Sequence, residues 1–332
     1  MRVPESMLTA PTNTAVLPAG MLAEPKWDGI RAWIARFADG RVLIRSRRGT
    51  DLTAAFPELE AAAAALPATC GEILLDGEIV LWFGGKLAFD KLLSRMSRKR
   101  ASAVRVAAEL PVNFVAFDLV HLDGDDLLAQ PYARRRAKLV ALFAQLELAP
   151  PWTLCPASAD PDEIAAWLAA WPPLGIEGLC FKRADQPYQP GRRGWLKYRV
   201  RHSTEAVVGA VTGRIEVPSS LLLGRFDERG RLRYVARTTA IARRSAGEVG
   251  ALLTPAAPAH PWVRHKPSPR WNAADPDQIT LVEPQVVAEF SGDLAQDARG
   301  VFRHLVRLRR LRPDLKPSDV PAVGAGSEPA SG

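Results

Sequence analysis

The pattern of hydrophobic and polar positions reads as short extended segments interleaved with stretches of helical spacing. Residues 29–37 partly alternate, as a strand does when one face is buried. Asp39-Gly40 is a hairpin turn signal, and residues 41–45 form the returning strand. Asp51 can cap a helix that runs through an alanine-rich stretch to Leu66, where Pro67 stops it. Residues 73–81 read as a strand with an acidic interruption at Asp76-Gly77-Glu78. Residues 87–96 predict a helix, and 112–120 a strong strand turned by His121-Leu122-Asp123-Gly124. Amphipathic helices are expected over 134–146 and 161–171, and short strands over 178–181 and 195–198. Residues 1–20, rich in Pro, Thr and Ala, read as an irregular arm.

After Arg201 the texture changes. Residues 206–211, 221–226, 232–236 and 286–290 read as short strands joined by glycine turns, with one helix near 245–253. Few strands around one helix predict a small barrel, with an OB-fold the leading candidate. Residues 254–278, rich in Pro, Trp and Asn, read as a long loop, and the Pro/Gly/Ser/Ala tail from Pro317 as disordered. The expected organisation is α+β, with domains over 1–202 and 203–316 and a disordered tail over 317–332.

Composition narrows the class. The chain has 332 residues, 47% hydrophobic and 24% charged, which excludes a fibre or a wholly disordered chain and allows two domains. There is no continuous apolar run long enough to cross a bilayer as a helix, and no secretory signal pattern. Cys70, Cys155 and Cys180 lie too far apart for a zinc knuckle or a disulfide framework, which fits a reducing cytoplasm. The five histidines, His121, His202, His260, His265 and His304, show no metal-ligand spacing and read as surface or turn residues. Net charge is +8, and residues 201–332 carry 19 basic against 14 acidic side chains, which suits a polyanionic partner. Only nine of the 44 basic residues are lysine, so the places that keep lysine are informative.

The most informative string is Glu24-Pro25-Lys26-Trp27-Asp28-Gly29-Ile30-Arg31, a lysine between a strand and a glycine turn with carboxylates on both sides. Alone it reads as a salt-bridged strand end. Its weight comes from the strings that follow in order: Arg45-Ser46-Arg47-Arg48-Gly49, Leu75-Asp76-Gly77-Glu78, and Phe114-Val115-Ala116-Phe117-Asp118. Then come Glu177-Gly178-Leu179-Cys180-Phe181-Lys182 and Trp195-Leu196-Lys197-Tyr198-Arg199. The last two place charges on short strands, with Lys197 and Arg199 on one face.

Together these strings resemble, in order, motifs I, Ia, III, IIIa, IV and V of the lysyl-nucleotidyltransferase superfamily of ATP-dependent DNA ligases and mRNA capping enzymes. The likeness spans about residues 22–312 and is nearest to the small stand-alone bacterial ligase type. It implies an antiparallel-sheet adenylation domain followed by an OB-fold. It also implies that Lys26 attacks the α-phosphate of ATP and carries AMP covalently, chemistry that needs an uncharged amine. Neighbouring cations and a metal would lower the lysine's pKa. By the same resemblance Glu24 lies at the adenine, Arg31 and Arg47 lie near ribose and phosphates, and Phe117 stacks on the base. Glu78 binds the ribose or a metal, Glu177 holds Mg²⁺ or Mn²⁺, Lys182 and Lys197 grip the α-phosphate, and Arg199 belongs to the same cofactor site. The family's common pattern has a lysine where Arg199 stands.

Residues 302–316 resemble motif VI, which orients the pyrophosphate leaving group; Arg303, Arg312 and Asp314 match, and Leu315 replaces the family's lysine. Taken alone this string reads as a basic helix end on DNA phosphates. Trp262 and Trp271 flank a basic loop of Arg264, His265, Lys266 and Arg270, where loop anchoring outweighs base stacking. The implied protein is a monomeric, cytoplasmic, nucleoid-associated bacterial enzyme that hinges near residue 200. It seals nicked duplex DNA, with a repair partner such as Ku and no membrane. The alternatives are an RNA ligase, a capping-type guanylyltransferase, and a non-catalytic nick-binding module.

Overall fold

The computed structural model describes residues 1–96, 100–263, 279–293, 296–297 and 299–323. The chain divides into two compact units, Met1–Val200 and Arg201–Gly332. The first opens with β1 (Leu8–Pro11), β2 (Met21–Pro25), β3 (Ile30–Arg36), β4 (Val42–Ser46) and α1 (Pro57–Ala64). There follow β5 (Ile73–Val80), the two-residue strands β6 (Trp82–Phe83) and β7 (Lys86–Leu87), α2 (Phe89–Met96), α3 (Arg100–Glu109), β8 (Asn113–Leu122) and β9 (Asp125–Asp126). The unit closes with α4 (Tyr132–Gln145), β10 (Trp152–Leu154), α5 (Pro161–Ala170), β11 (Gly178–Arg183) and β12 (Arg193–Arg199).

Its strands form two main sheets, ordered β1-β12-β11-β2 and β10-β8-β5-β3-β4, with β9 beside β8. Most pairs are antiparallel, but β1 runs parallel to β12 and β10 parallel to β8. The sheets are therefore mixed, where antiparallel ones were expected. Helix α4 explains one exception: it carries the chain back so that β10 re-enters in the direction of β8. Alternation along β8 sorts the layers. Phe114 and Ala116 join Ile34, Ile44, Leu59, Leu139 and Phe143 in a core beneath α1 and α4. Val115 and Phe117 join Trp33, Leu74, Tyr188 and Trp195 in a second core, which brings β12 of the smaller sheet against the larger one. Leu179 and Phe181 of β11 pack outward on Ile164 and Trp167 of α5. A fully buried bidentate pair, Arg135 to Asp118 at 2.8 and 2.9 Å, pins α4 to β8.

Three local readings change. The arm over 1–20 contains β1, and Met7 just before it is fully buried. A four-residue edge strand ending in proline leaves little trace in composition. The helix expected from Asp51 is split. Asp51 Oδ1 instead accepts from the Thr53 amide at 2.8 Å, and α1 starts at Pro57, which has no N–H to leave unsatisfied. His260, expected at the surface or in a turn, closes a turn with its amide on Ala257 O at 3.1 Å, but is buried and accepts the Trp262 amide at 3.0 Å.

The second unit contains β13 (Arg201–Arg214), β14 (Val217–Phe226), β15 (Leu232–Arg237), α6 (Arg243–Gly250), β16 (Ile279–Leu281), β17 (Val287–Asp293) and β18 (Arg307–Leu311). Five strands are ordered β15-β14-β13-β17-β18, with β16 beside β13. Val208, Leu221, Val235, Phe290 and Val306 share one core with Val249 of α6. Among the described residues no ladder closes this sheet. One parallel bridge, Thr238 to Val306, joins the ends of β15 and β18. Trp262 covers a second core and donates its indole N–H to Leu232 O at 2.9 Å. Trp271, Arg264, His265, Lys266 and Arg270 lie outside the described residues. The basic string at 302–316 forms strand β18 and a turn, not a helix end. The tail is ordered further than expected: Pro317–Asp319 makes a 3₁₀ turn, and the Val323 amide donates to Phe226 O at 3.2 Å. Residues 324–332 lie outside the description.

Candidate active site

Lys26 follows the last residue of β2, and Glu177 precedes the first of β11. Their backbones lock together: the Lys26 amide donates to Gly178 O and the Glu177 amide to Lys26 O, both at 2.8 Å. Gly178 is at φ +142°, and a Cβ there would lie 2.2 Å from Tyr198 O, so only glycine lets the three strand ends close up. The Lys26 ammonium donates to Glu177 Oε2, and Arg199 Nη2 lies 3.6 Å from the same oxygen. The lysine side chain is 18% exposed, the glutamate 5%.

Burial depresses the Lys26 ammonium's pKa, and Arg199 adds to that. Glu177, by charge and hydrogen bond, outweighs both and leaves it above its ordinary value. The neighbouring cation Arg199 does lower it, as expected, but the carboxylate of Glu177 sets the net direction. Glu78, on β5, is half-buried; burial pushes its carboxyl up to about 8 against the pull of Lys26 and Arg31, with Glu177 and Asp28 adding to the rise. Glu78 and Glu177 thus repel each other across Lys26. Among the described residues no three His, Cys, Asp or Glu side chains converge as a metal cage. Two carboxylates suit Mg²⁺ or Mn²⁺, hard cations that keep several waters.

More deeply buried, the residues expected at adenine and phosphate bind each other. Glu24 Oε2 is 2.6 Å from Lys182 Nζ, and the two side chains are 2% and 1% exposed. Tyr132 donates to the other Glu24 oxygen, and Lys182 donates to Phe117 O at 3.2 Å. The Lys182 ammonium also lies 4.3 Å from the ring centres of both Phe117 and Trp195. Lys182 is thus held between a buried carboxylate, a backbone carbonyl and two aromatic rings. Phe117 is itself buried, with the edge of Trp195 against it at 6.0 Å.

Arg31 is braced in the same way. Its Nε and Nη2 grip Asp76 at 3.0 and 2.6 Å, and its Nη1 donates to Met7 O at 2.6 Å. Burial opposes this charge, but Asp76 holds the guanidinium above its ordinary pKa. Tyr188 donates to Asp76 at 2.7 Å. Asp76, Tyr132 and Tyr188 carried no assigned role in the sequence. Asp76 had a signal, since it shares a strand face with Glu78; Tyr188 lies outside any regular element and had none.

Arg47 and Lys197 also belong to the first unit. They line a cavity of about 1270 Å³ together with Arg2, Arg45, Arg48 and Arg193. Burial, then Arg199 and Lys26, lower the Lys197 pKa. Arg303, Arg312 and Asp314 belong to the second unit. Arg312 Nη2 meets Asp314 at 2.7 Å, and its Nη1 lies 3.5 Å from both Glu205 and Glu289. Those two glutamates face each other across β13 and β17, so Arg312 neutralises a like-charge pair.

The family model described as ATP dependent DNA ligase domain matches residues 7–199. DNA ligase C2 of Mycolicibacterium smegmatis is 32% identical over 319 residues, covering 90% of this chain and 88% of its own. DNA ligase C of Mycobacterium tuberculosis is 32% identical, covering 95% and 91%. The crystal structure of the ligase domain of Mycobacterium tuberculosis LigD superposes with a TM-score of 0.52 at 31% identity, covering 96% and 98%.

Proposed function

Because the chain belongs to the ATP-dependent DNA ligase family, we propose that it seals nicks in duplex DNA through a lysyl-AMP at Lys26 and a DNA-adenylate. The carrying observation is the Lys26–Glu177–Arg199 cluster, which holds a partly open ammonium beside a carboxylate and a second cation. In the first step the Lys26 amine, having shed a proton, forms an N–P bond to the α-phosphorus of ATP. The bond to the bridging oxygen breaks and pyrophosphate leaves. Glu177 Oε2, already bonded to Nζ, is placed to take that proton. A 5′-phosphate oxygen at the nick then attacks the same phosphorus, and the N–P bond breaks to restore the lysine. Last, the 3′-hydroxyl attacks the 5′-phosphorus, the phosphodiester forms and AMP leaves.

Glu177 and Glu78 would hold Mg²⁺ or Mn²⁺, which would offset negative charge building on the α-phosphate. Arg47 and Lys197 would meet phosphates in the basic cleft, while Glu24 and Phe117 would form the wall of the adenine pocket. Arg31 and Lys182 would brace that wall. Arg303, Arg312 and Asp314 would serve the leaving pyrophosphate. The strand order β15-β14-β13-β17-β18, the single parallel bridge and α6 between β15 and β17 support an OB-type barrel for the second unit. A repair role, with Ku as a partner, is the setting we infer from the likeness to Mycobacterium tuberculosis LigD, a multifunctional non-homologous end joining DNA repair protein.

The test is covalent labelling with α-labelled ATP and Mg²⁺, followed by a chase with nicked duplex DNA. Label on the wild type, lost as the nick is sealed, is expected. Label from GTP in place of ATP, or label that nicked DNA cannot discharge, overturns the reading.

A further inference from the structure

Between β5 and α2 the chain makes a small ribbon that the reaction above does not use. Trp82 of β6 sits opposite Leu87 of β7, and Phe83 opposite Lys86. Gly84 and Gly85 close the ribbon at φ +59° and +78°, the paired positive values of a type I′ hairpin turn. Nothing lies within 4 Å of where a Cβ would stand on either, so the tip projects into solvent. Two-stranded ribbons are marginal alone. This one is anchored by Leu87, which joins the core of Trp33 and Phe117, and by the Ala88 amide, which donates to Leu81 O at 2.8 Å.

The anchored ribbon leaves two aromatic rings open: Trp82 is 40% and Phe83 50% exposed. Neighbouring strand residues point to opposite faces, and the two faces differ. Trp82 meets Trp27, the residue after Lys26, edge-on at 6.5 Å. Phe83 carries the Lys91 ammonium 3.9 Å from its ring centre, with Lys86 across the ribbon. Two of the chain's nine lysines therefore flank one exposed ring, and Asp90 is the one acid in residues 82–95. Aromatic faces beside ammonium groups take nucleobase or sugar faces and phosphates together.

We propose that this ribbon is a nucleic-acid contact, in which Phe83 and Trp82 rest on bases or sugars beside the break while Lys86 and Lys91 take adjacent phosphates. The inference rests on nicked duplex DNA being the substrate. Through Trp27 it places a DNA contact one residue from the nucleophile.

Two double variants test it, Trp82→Ala with Phe83→Ala, and Lys86→Gln with Lys91→Gln. Each is measured for AMP labelling without DNA, for binding to a nicked duplex by anisotropy, and for sealing. Both should label as the wild type does, which also shows that they fold. The aromatic variant should bind the nick about tenfold more weakly, as expected for lost stacking. The lysine variant should flatten the slope of log affinity against log salt by about 1.8, two phosphate contacts' worth. Wild-type binding, sealing and salt slope in both variants overturn the proposal, and would turn attention to a protein partner for the ribbon. A wild type that takes no AMP from ATP overturns the ligase reading first, and the ribbon's role with it.

Discussion

Two lysine–glutamate pairs straddle β2 and β11, and they differ in almost everything but composition. Because the strands run antiparallel, the acid of each meets the lysine of the other: Glu24 with Lys182, and Lys26 with Glu177. The first pair is sealed among Tyr132, Phe117 and Trp195, with every charge answered by a neighbour. The second sits at the strand ends, where Lys26 keeps a path to solvent and its partner is shared with Arg199. Burial makes the first pair a fixture of the fold. Partial exposure and a contested partner make the second one chemically available.

Lys26→Ala should break the comparison most completely. Covalent AMP should vanish, while thermal melting stays close to wild type because Arg199 remains beside Glu177; loss of folding instead would make Lys26 structural. Lys182→Met should instead show itself in stability. Breaking one partner out of a buried pair costs about 3–5 kcal/mol, and the double change with Glu24→Gln should recover most of it in denaturant melts. An equally stable Lys182→Met would show that the inner pair is not what holds β2 to β11.

Glu177→Gln sharpens the outer pair. Without that charge, burial and Arg199 govern the Lys26 pKa, so it should fall. The acidic limb of labelling against pH should shift to lower pH even as the maximal rate drops. An unmoved limb would mean Glu177 does not hold the lysine's proton. Glu78 gives the smallest effect and the clearest sign. Its folded pKa, about 8, stands above the ordinary 4.5. Its contribution to stability is thus fully present below about pH 4.5 and lost as pH rises through about 8. Glu78→Gln should match wild type in melts near pH 4.5 and exceed it above pH 8. A constant difference across that range would refute the raised pKa.

The reactive pair was legible in the sequence, and the sealed pair was not. Lys26, Glu177 and Arg199 stand at turns and strand ends, and Glu78 interrupts the apolar run of β5, so each is a conspicuous charge beside apolar residues. Glu24 and Lys182 look identical to them in one dimension, because exposure depends on which helix or aromatic ring arrives from elsewhere. Tyr132 comes from α4 and Trp195 from β12, and nothing near Lys182 in the chain announces either. The long central strands β3, β5 and β8 declared themselves by their apolar runs. The parallel edge strands β1 and β10 did not, being four and three residues long. In the second unit the strand pattern was readable, but β18 was masked by its three arginines, Arg307, Arg309 and Arg310, around the two apolar members Leu308 and Leu311.

One of those hidden strands reaches further than its length suggests. β1 supplies the outer rail of the smaller sheet: Leu8 donates to Arg192 O at 2.7 Å and Thr12 to Lys197 O at 2.9 Å, while Met7 O receives Arg31. Peeling it away would leave β12, the strand of Lys197 and Arg199, with a row of unanswered backbone donors and acceptors, an invitation to pair with a neighbouring molecule. A chain trimmed past Pro11 should therefore self-associate by strand exchange, and the amino end is a poor place to hang a rigid fusion.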